Sequence, residues 1–143
     1  MVKARRKTII INKQKFIVES HLEEAFLEYW MQAHPDNPPV TQYHFSAESR
    51  YRLDFAWPQS KLGLEIQGYG PGHTSRSSMH RDANKHNLAV LTSWTLVYLT
   101  GKHLTTKVIH NSIKPIEHLL GLQNAHIQRR SRTYIPAAHR KRR

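Results

Sequence analysis

Two short segments in the middle of the chain, residues 51–57 and 62–67, alternate apolar and polar side chains with the period of a β-strand. Residues 57–60, which include a proline, interrupt the alternation and predict a turn. One face of the first strand is expected to carry Arg52, Asp54 and Ala56, and the other Tyr51, Leu53, Phe55 and Trp57. The apolar face of the second strand is expected to carry Leu62, Leu64 and Ile66, and the other Gly63, Glu65 and Gln67. The pattern predicts a hairpin that brings two carboxylates, Asp54 and Glu65, together.

Apolar residues at helical spacing lie on both sides of this hairpin. Residues 20–33 predict a first helix, and Ser20 with Glu23 forms the signature of a capping box at its start. Prolines after residue 34 end this helix, and residues 40–45 predict a strand. Residues 77–91 predict a second helix, residues 94–100 a buried strand, and residues 104–120 a third helix that Pro115 kinks or divides. The apolar stripe expected on the second helix is Met79, Ala83, Leu88 and Leu91. A helix between two strands indicates a crossover connection.

The length of 143 residues and the hydrophobic content of 38% suit one domain with a real core. We expect an α/β fold with a central mixed β-sheet flanked by helices, over residues 16–122. Residues 1–15 are expected to form a basic arm or edge strand, and residues 123–143 a basic tail that is disordered until it meets phosphate. The absence of cysteine excludes disulfides, thiolate zinc sites and cysteine nucleophiles. Without a targeting signal in the sequence, we expect an intracellular protein.

The formal net charge of +12 predicts a polyanionic partner, because a basic protein attracts phosphate chains and releases their counterions. DNA is the first candidate, RNA is a weaker one, and a membrane is not expected because there is no long apolar run. Contacts to the nucleic-acid backbone, without readout of bases, are expected from Arg52, Arg76, Arg81, Arg129, Arg130, Arg132, Arg140, Lys141, Arg142 and Arg143.

The paired carboxylates Asp54 and Glu65 suit a hard divalent cation, since Mg²⁺ or Mn²⁺ prefers oxygen ligands. The alternative is that both are ordinary solvent-facing acids on an exposed hairpin. A structural zinc site is not favoured, because His73, His80 and His86 do not have the spacing that puts two ligands on one helical face. Three tryptophans alternate with apolar neighbours, which is typical of core residues: Trp30, Trp57 and Trp94.

Several of these segments occur together in the order and spacing of a known family. They are residues 20–26, 52–58, 62–68, 72–74, 82–87 and 93–94. The chain resembles the PD-(D/E)xK nuclease superfamily, and within it the small phage and prophage endonucleases related to very-short-patch-repair enzymes. The resemblance covers residues 20–100. It implies a restriction-endonuclease-like core and a metal-dependent hydrolysis of phosphodiester bonds.

By this resemblance, Asp54 and Glu65 are the metal-binding acids, and the main-chain carbonyl of Ile66 completes the metal's ligand shell. Glu23 corresponds to the helical acid that binds the same metal or its water. The alternative role of Glu23 is that of capping partner to Ser20, and Glu24 could then take its place.

The sequence departs from the family at Gln67, where the motif usually carries lysine. A neutral glutamine can orient water by hydrogen bonds but supplies no charge. Lys85 could supply that charge from the second helix; its alternative partner is Asp82, one turn before it, in a surface ion pair. His73 could contact the scissile phosphate or shuttle a proton, or it could be a loop residue bonded to backbone.

The expected function is that of a Mg²⁺-dependent DNA endonuclease, selective for branched DNA such as a junction or a flap, in phage DNA processing. A homodimer that pairs two sites would suit such a substrate. If the protein is phage-encoded, the host cytoplasm or nucleoid is its expected location. The alternative is a catalytically weakened protein of the nuclease fold that binds DNA or RNA without cleaving it. RNA processing fits the charge but not the carboxylate hairpin.

Overall fold

The structure is a computed structural model that describes residues 6–68 and 76–122. Its elements in chain order are β1 (Lys7–Ile11), β2 (Gln14–Val18), α1 (His21–Ala33), β3 (Val40–His44), β4 (Arg52–Trp57), β5 (Leu62–Gln67), α2 (Arg76–Leu91), β6 (Thr95–Thr100), α3 (Ile109–Ser112) and α4 (Lys114–Leu119). Short 3-10 turns, Pro58–Ser60 and Gly101–Leu104, follow β4 and β6. None of the helices in this described part of the chain is long and apolar enough to span a bilayer.

A four-stranded mixed sheet in the order β3-β4-β5-β6 forms the centre of the fold. The first three strands are antiparallel, and β5 pairs in parallel with β6 through the connection that contains α2. These features confirm the predicted α/β class and the crossover.

Residues 7–15 of the segment expected as an arm or edge strand form part of an antiparallel hairpin. The strand around Ile9 is β1, and it pairs with β2, which the sequence analysis did not predict. The boundary proposed between residues 15 and 16 falls inside β2. Phe16 and Val18 of β2 are buried, whereas Gln14 and Lys15 are exposed.

Helix α1 begins as predicted, because the Ser20 side chain accepts a hydrogen bond from the backbone N–H of Glu23. The other half of the expected capping box differs. The Glu23 carboxylate accepts the N–H of Glu19 at 2.9 Å, one residue before the N-cap. Glu23 therefore ends inside the fold, where it is 4% exposed.

Two apolar clusters lie on the sheet. The larger one joins α1, β2 and the C-terminal helices to the sheet and includes Phe26, Trp30, Phe55, Trp57, Leu62, Leu64 and Ile116. The smaller one joins the sheet to the C-terminal half of α2 and consists of Phe45, Leu53, Ala56, Ala89 and Trp94. All three tryptophans are buried, as predicted.

The predicted alternation along β4 is only partly correct. Leu53 and Ala56 belong to the same cluster although they are three residues apart, and Phe55 belongs to the other. The two-residue period is therefore broken at Asp54. Opposite this point, the β3–β4 pairs step from Thr41 to Tyr43, and the intervening Gln42 has φ +50, an uncommon backbone conformation for glutamine.

The apolar stripe predicted for α2 is wrong. Met79 is 63% exposed and Leu91 is 82% exposed, and Ala89 is the buried residue of this helix. The helix covers the small cluster with its last turns only, so most of its length remains in contact with solvent. The strand after it, β6, lies at an edge of the sheet and is half-exposed rather than buried as predicted.

The predicted third helix is divided, and it begins later than expected. Residues 101–104 form a 3-10 turn, and α3 and α4 meet at Ile113, just before Pro115. Proline is tolerated in the first turn of α4, because the N–H groups there have no intrahelical acceptor.

A buried hydrogen-bonded pair ties the end of α1 to α4. Nε2 of His34 lies 2.7 Å from Oε2 of Glu117, and both side chains are buried. The Trp30 ring packs on the His34 ring, with centroids 4.5 Å apart. The pair therefore joins two elements that are 83 residues apart in the chain.

We expect Glu117→Ala to lower the free energy of unfolding by about 1–3 kcal/mol, because it leaves the buried His34 ring without this partner. Urea denaturation followed by tryptophan fluorescence measures the loss. The matched control is Glu48→Ala at an exposed position, where a change within about 0.5 kcal/mol is expected. Equal stability of the two variants would contradict the structural role of the pair.

Candidate acidic site between β4 and β5

Asp54 and Glu65 lie on neighbouring strands, next to the last backbone pair between them. The ladder of β4 and β5 runs from Trp57 with Leu62 to Phe55 with Leu64. Asp54 comes directly before Phe55 and Glu65 directly after Leu64. The Asp54 carboxylate accepts the backbone N–H of Ile66 at 2.7 Å. The two acids that the sequence pattern was expected to bring together are therefore neighbours, and each is half-buried.

Glu23 approaches the same point from α1. One of its carboxylate oxygens accepts the N–H of Glu19, and the other accepts a hydrogen bond from Nε2 of Gln42 at 3.1 Å. Its carboxyl group also interacts with that of Asp54. Glu23, Asp54 and Glu65 thus gather three of the ten acidic residues in a chain of net charge +12.

Burial and mutual repulsion disfavour the ionised forms of these acids. Burial, followed by the charge of Asp54, raises the pKa of Glu23 to about 7. The same two causes raise the pKa of Glu65 to about 7, although Lys85 opposes them. Burial also raises the pKa of Asp54, against the lowering effects of the Ile66 N–H and of Lys85. The acids therefore keep their protons to a higher pH than isolated carboxyl groups, because the protein does not fully compensate their negative charge when they ionise.

Lys85 is the cation nearest to Glu65. Its Nζ donates to Oε1 of Glu65 at 2.5 Å, and both side chains are largely buried. Lys85 thus forms an ion pair with Glu65 of β5. The sequence had left open Asp82 as its partner. Asp82 is exposed and lines the same groove as Lys85.

This groove has a volume of about 230 Å³ and lies between α2 and the ends of β5 and β6. Its lining includes Glu65 and Gln67 of β5, Lys85 of α2, and Tyr98 and Thr100 of β6. Gln67 is exposed, and its position in the sheet is set by pairing with Thr100. A neutral residue therefore stands at the open end of β5, where the family motif carries a lysine.

Two residues near the acids were not predicted. Gln42 holds Glu23 from the β3 position that lies opposite Asp54, and nothing in its sequence context marks it. Tyr98 pairs with Glu65 across β5 and β6. The parallel register that brings these two together spans 33 positions of chain and cannot be read from local periodicity.

The remaining predicted site residues are distributed differently. Glu24, named as a substitute for Glu23, forms a surface ion pair with Lys7 at 2.9 Å. Arg52 is half-exposed, with one guanidinium nitrogen 3.9 Å from Glu19, and Arg76 and Arg81 are exposed on α2. The predicted residues that lie outside the described part of the chain are His73, Arg129, Arg130, Arg132, Arg140, Lys141, Arg142 and Arg143.

The donor set fits a hard divalent cation by its chemistry. Asp54 and Glu65 offer carboxylate oxygens, and Mg²⁺ is commonly held by one or two carboxylates while it keeps several waters. Within residues 6–68 and 76–122, no group of three or more His, Cys, Asp or Glu side chains is arranged to hold a metal ion.

Comparison of the chain with models of known protein families finds no match. Comparisons with curated proteins and with solved structures find none either. The nuclease resemblance remains a prediction from sequence.

Proposed function

We propose that this protein is a divalent-metal-dependent endonuclease that hydrolyses phosphodiester bonds in DNA, with Asp54 and Glu65 as ligands of Mg²⁺ or Mn²⁺. The observation that carries the proposal is the meeting of Asp54, Glu65 and Glu23 where β4 and β5 end their pairing, in a strongly basic chain.

The net positive charge of the protein and the cluster of acids within it together support this proposal. The net charge of +12 attracts a polyanion such as DNA. The acidic cluster alone would repel the phosphate that the rest of the surface attracts. A divalent cation between the acids and the phosphate would reconcile the two, because its charge would offset the burial and the repulsion by Asp54 that raise the pKa values of Glu23 and Glu65.

Each residue of the site has a distinct task in this proposal. When bound, Mg²⁺ would supply positive charge beside the phosphate and lower the pKa of a water. Asp54 is oriented by the Ile66 N–H, which the carboxylate accepts at 2.7 Å, and its carboxylate would bind the cation. Glu23, held by Gln42 and the Glu19 N–H, accepts a proton from the attacking water, for which a pKa of about 7 is well matched.

Lys85 and Gln67 would contact the substrate. The ammonium of Lys85 is held at the wall of the groove by Glu65 and can pair with a phosphate oxygen that enters there. Gln67 can donate a hydrogen bond from its exposed amide but supplies no charge. In this arrangement, Lys85 provides the positive charge that the family motif places at the position of Gln67.

The test incubates supercoiled, linear and branched DNA with the full chain and Mg²⁺ or Mn²⁺. Cleavage is expected with the wild type and with Glu48→Gln, which changes an exposed acid elsewhere on the surface. It is expected to be absent with Asp54→Ala, with Glu65→Ala and in EDTA. Cleavage that survives both alanine substitutions would exclude this site as its origin.

Lys85→Met is expected to lower kcat by roughly 10²-fold, because it removes a positive charge next to the reacting phosphate. Lys85→Arg keeps the charge and is expected to retain more activity than Lys85→Met. Single-turnover cleavage of one oligonucleotide duplex by the three proteins gives the comparison. An equal loss in both variants would indicate that the shape of the lysine matters and not its charge.

A second candidate function is DNA or RNA binding without cleavage by a protein that keeps this fold. The neutral, exposed Gln67 and the pairing of Lys85 with Glu65 favour it, since both reduce the positive charge available to the phosphate. Its expected result is tight, salt-sensitive binding and intact DNA in every metal tested. Cleavage that depends on Asp54 would exclude it.

A further inference from the structure

The groove beside the acids contains an aromatic side chain that the proposed chemistry does not use. Tyr98 stands on the edge strand β6 and is 36% exposed. It is the register partner of Glu65, and adjacent strands in a sheet are about 4.8 Å apart. The Tyr98 ring is therefore one strand away from an acid of the site, in the groove that Lys85 also lines.

The position of the Tyr98 ring is held from one side by α2. The ring of His86 packs against it with centroids 6.4 Å apart and an angle of 37° between the planes. The Tyr98 hydroxyl lies 3.5 Å from Nδ1 of His86. The phenol is thereby oriented, while part of it remains open to the groove.

We propose that Tyr98 is a stacking platform for a nucleobase next to the scissile phosphate, and that the substrate is DNA with an unpaired nucleotide at that position. This inference rests on the proposed function. The groove of about 230 Å³ is smaller than the roughly 300–1,000 Å³ that encloses a complete small-molecule ligand, and it suits one planar group.

The groove combines the two features that single-stranded nucleic acid requires. Aromatic side chains bind bases of any sequence through their faces, and cations bind the backbone that joins them. Tyr98 supplies the aromatic face, and Lys85 supplies a cation in the lining of the same groove. The exposed Arg81 lies four residues before Lys85 on α2 and extends the positive charge along the helix.

Selectivity for unpaired nucleotides follows from the cost of placing a base in the groove. A base that stacks on Tyr98 must leave its own duplex stack, and this cost is smallest for a mismatched or already unpaired base. A gap, flap or junction presents such a base. The same protein is expected to bind a fully paired duplex mainly through phosphates, without use of Tyr98.

The test compares two duplexes of one sequence, one fully paired and one with a single unpaired 2-aminopurine. Binding to the full-length protein is measured in EDTA, where the proposed cleavage does not occur. The wild type and Tyr98→Phe are expected to bind the unpaired duplex more tightly than the paired one and to change the 2-aminopurine fluorescence. Tyr98→Leu is expected to weaken binding to the unpaired duplex by roughly 5- to 100-fold and binding to the paired duplex by little.

Tyr98→Thr provides a second variant, since threonine suits an edge strand and keeps the fold if leucine does not. The ratio of the two affinities is the decisive quantity, because a general loss of folded protein lowers both affinities together. An unchanged ratio in Tyr98→Leu and Tyr98→Thr, or fluorescence that does not respond to the protein, would overturn the inference.

The outcomes for this inference and for the proposed function are distinguishable. A Tyr98-dependent preference without any cleavage in Mg²⁺ or Mn²⁺ supports stacking and overturns the nuclease proposal. Cleavage that depends on Asp54 but has the same KM and kcat for paired and unpaired sites overturns the stacking proposal and leaves the nuclease intact.

Discussion

Asp54→Asn is expected to reduce Mg²⁺-dependent DNA cleavage by roughly 10³-fold and, at pH 8, to stabilise the metal-free protein by about 0.5–2 kcal/mol. The loss of activity follows from removal of a carboxylate that would bind the cation. The gain in stability has a separate cause. Asp54 contributes to the raised pKa values of both Glu23 and Glu65, so a neutral side chain relieves repulsion on two sides. The amide oxygen of asparagine can still accept the Ile66 N–H.

Cleavage of a DNA duplex in Mg²⁺ measures the loss of activity, and thermal unfolding in EDTA and in Mg²⁺ measures the change in stability. The wild type is expected to gain stability from Mg²⁺, because a ligand that binds only the folded state stabilises it. Asp54→Asn is expected to be more stable than the wild type in EDTA and to gain little from Mg²⁺. Glu48→Gln should behave as the wild type in both buffers. A less stable Asp54→Asn protein in EDTA would show that Asp54 is a structural carboxylate rather than a strained functional one.

The metal-free protein is expected to lose stability as the pH rises from about 4.5 to about 7. The pKa values of Glu23 and Glu65 rise to about 7 in the folded protein, from ordinary values of 4.5. The folded state therefore binds more protons than the unfolded state in this range. The stability from the protonated acids is fully present below pH 4.5 and is lost as the pH passes 7, at a cost of up to about 3 kcal/mol for each of the two acids.

Urea denaturation at a series of pH values isolates this effect when the wild type is compared with Glu23→Gln. Titrating groups that do not interact with Glu23 contribute equally to both proteins and cancel in the difference. The difference curve is expected to slope between pH 4.5 and 7 and to be flat outside that window. Stabilisation by Mg²⁺ is expected to be small at pH 5 and larger at pH 8, since a cation binds ionised carboxylates. A flat difference curve would mean that Glu23 ionises normally in the folded protein.

Local patterns predicted most of the elements around the site. The cap at Ser20, the prolines after α1 and the two-residue alternation in β5 depend on residues close to one another in the chain, and each was confirmed. The hairpin strand β2 was missed because its exposed Gln14 and Lys15 resemble the rest of a basic arm. The apolar stripe predicted for α2 was wrong, because helical spacing does not reveal which turns of a helix pack against the rest of the protein.

The site was predictable to the extent that its members lie on adjacent strands of one hairpin. Asp54 and Glu65 are 11 residues apart, and a short turn leaves their strands little choice of register. Lys85 was identified as a possible source of charge, and its contact with Glu65 depends on how α2 crosses the sheet. Gln42 and Tyr98 carry no signal of their own, since polar and aromatic residues are ordinary in strands.

Composition and local patterns were enough to predict the net positive charge, the types of most of the successive elements and the presence of two carboxylates on one hairpin. These properties follow from composition and from periods of two and 3.6 residues, which act over short distances along the chain. Three contacts depend on the packing of distant segments: Glu23 is buried beside Asp54, Lys85 pairs with Glu65, and Tyr98 lines the groove next to the acids. The physical reason is that burial, pKa and stacking depend on neighbours supplied by distant segments, and no local period records which segments will meet.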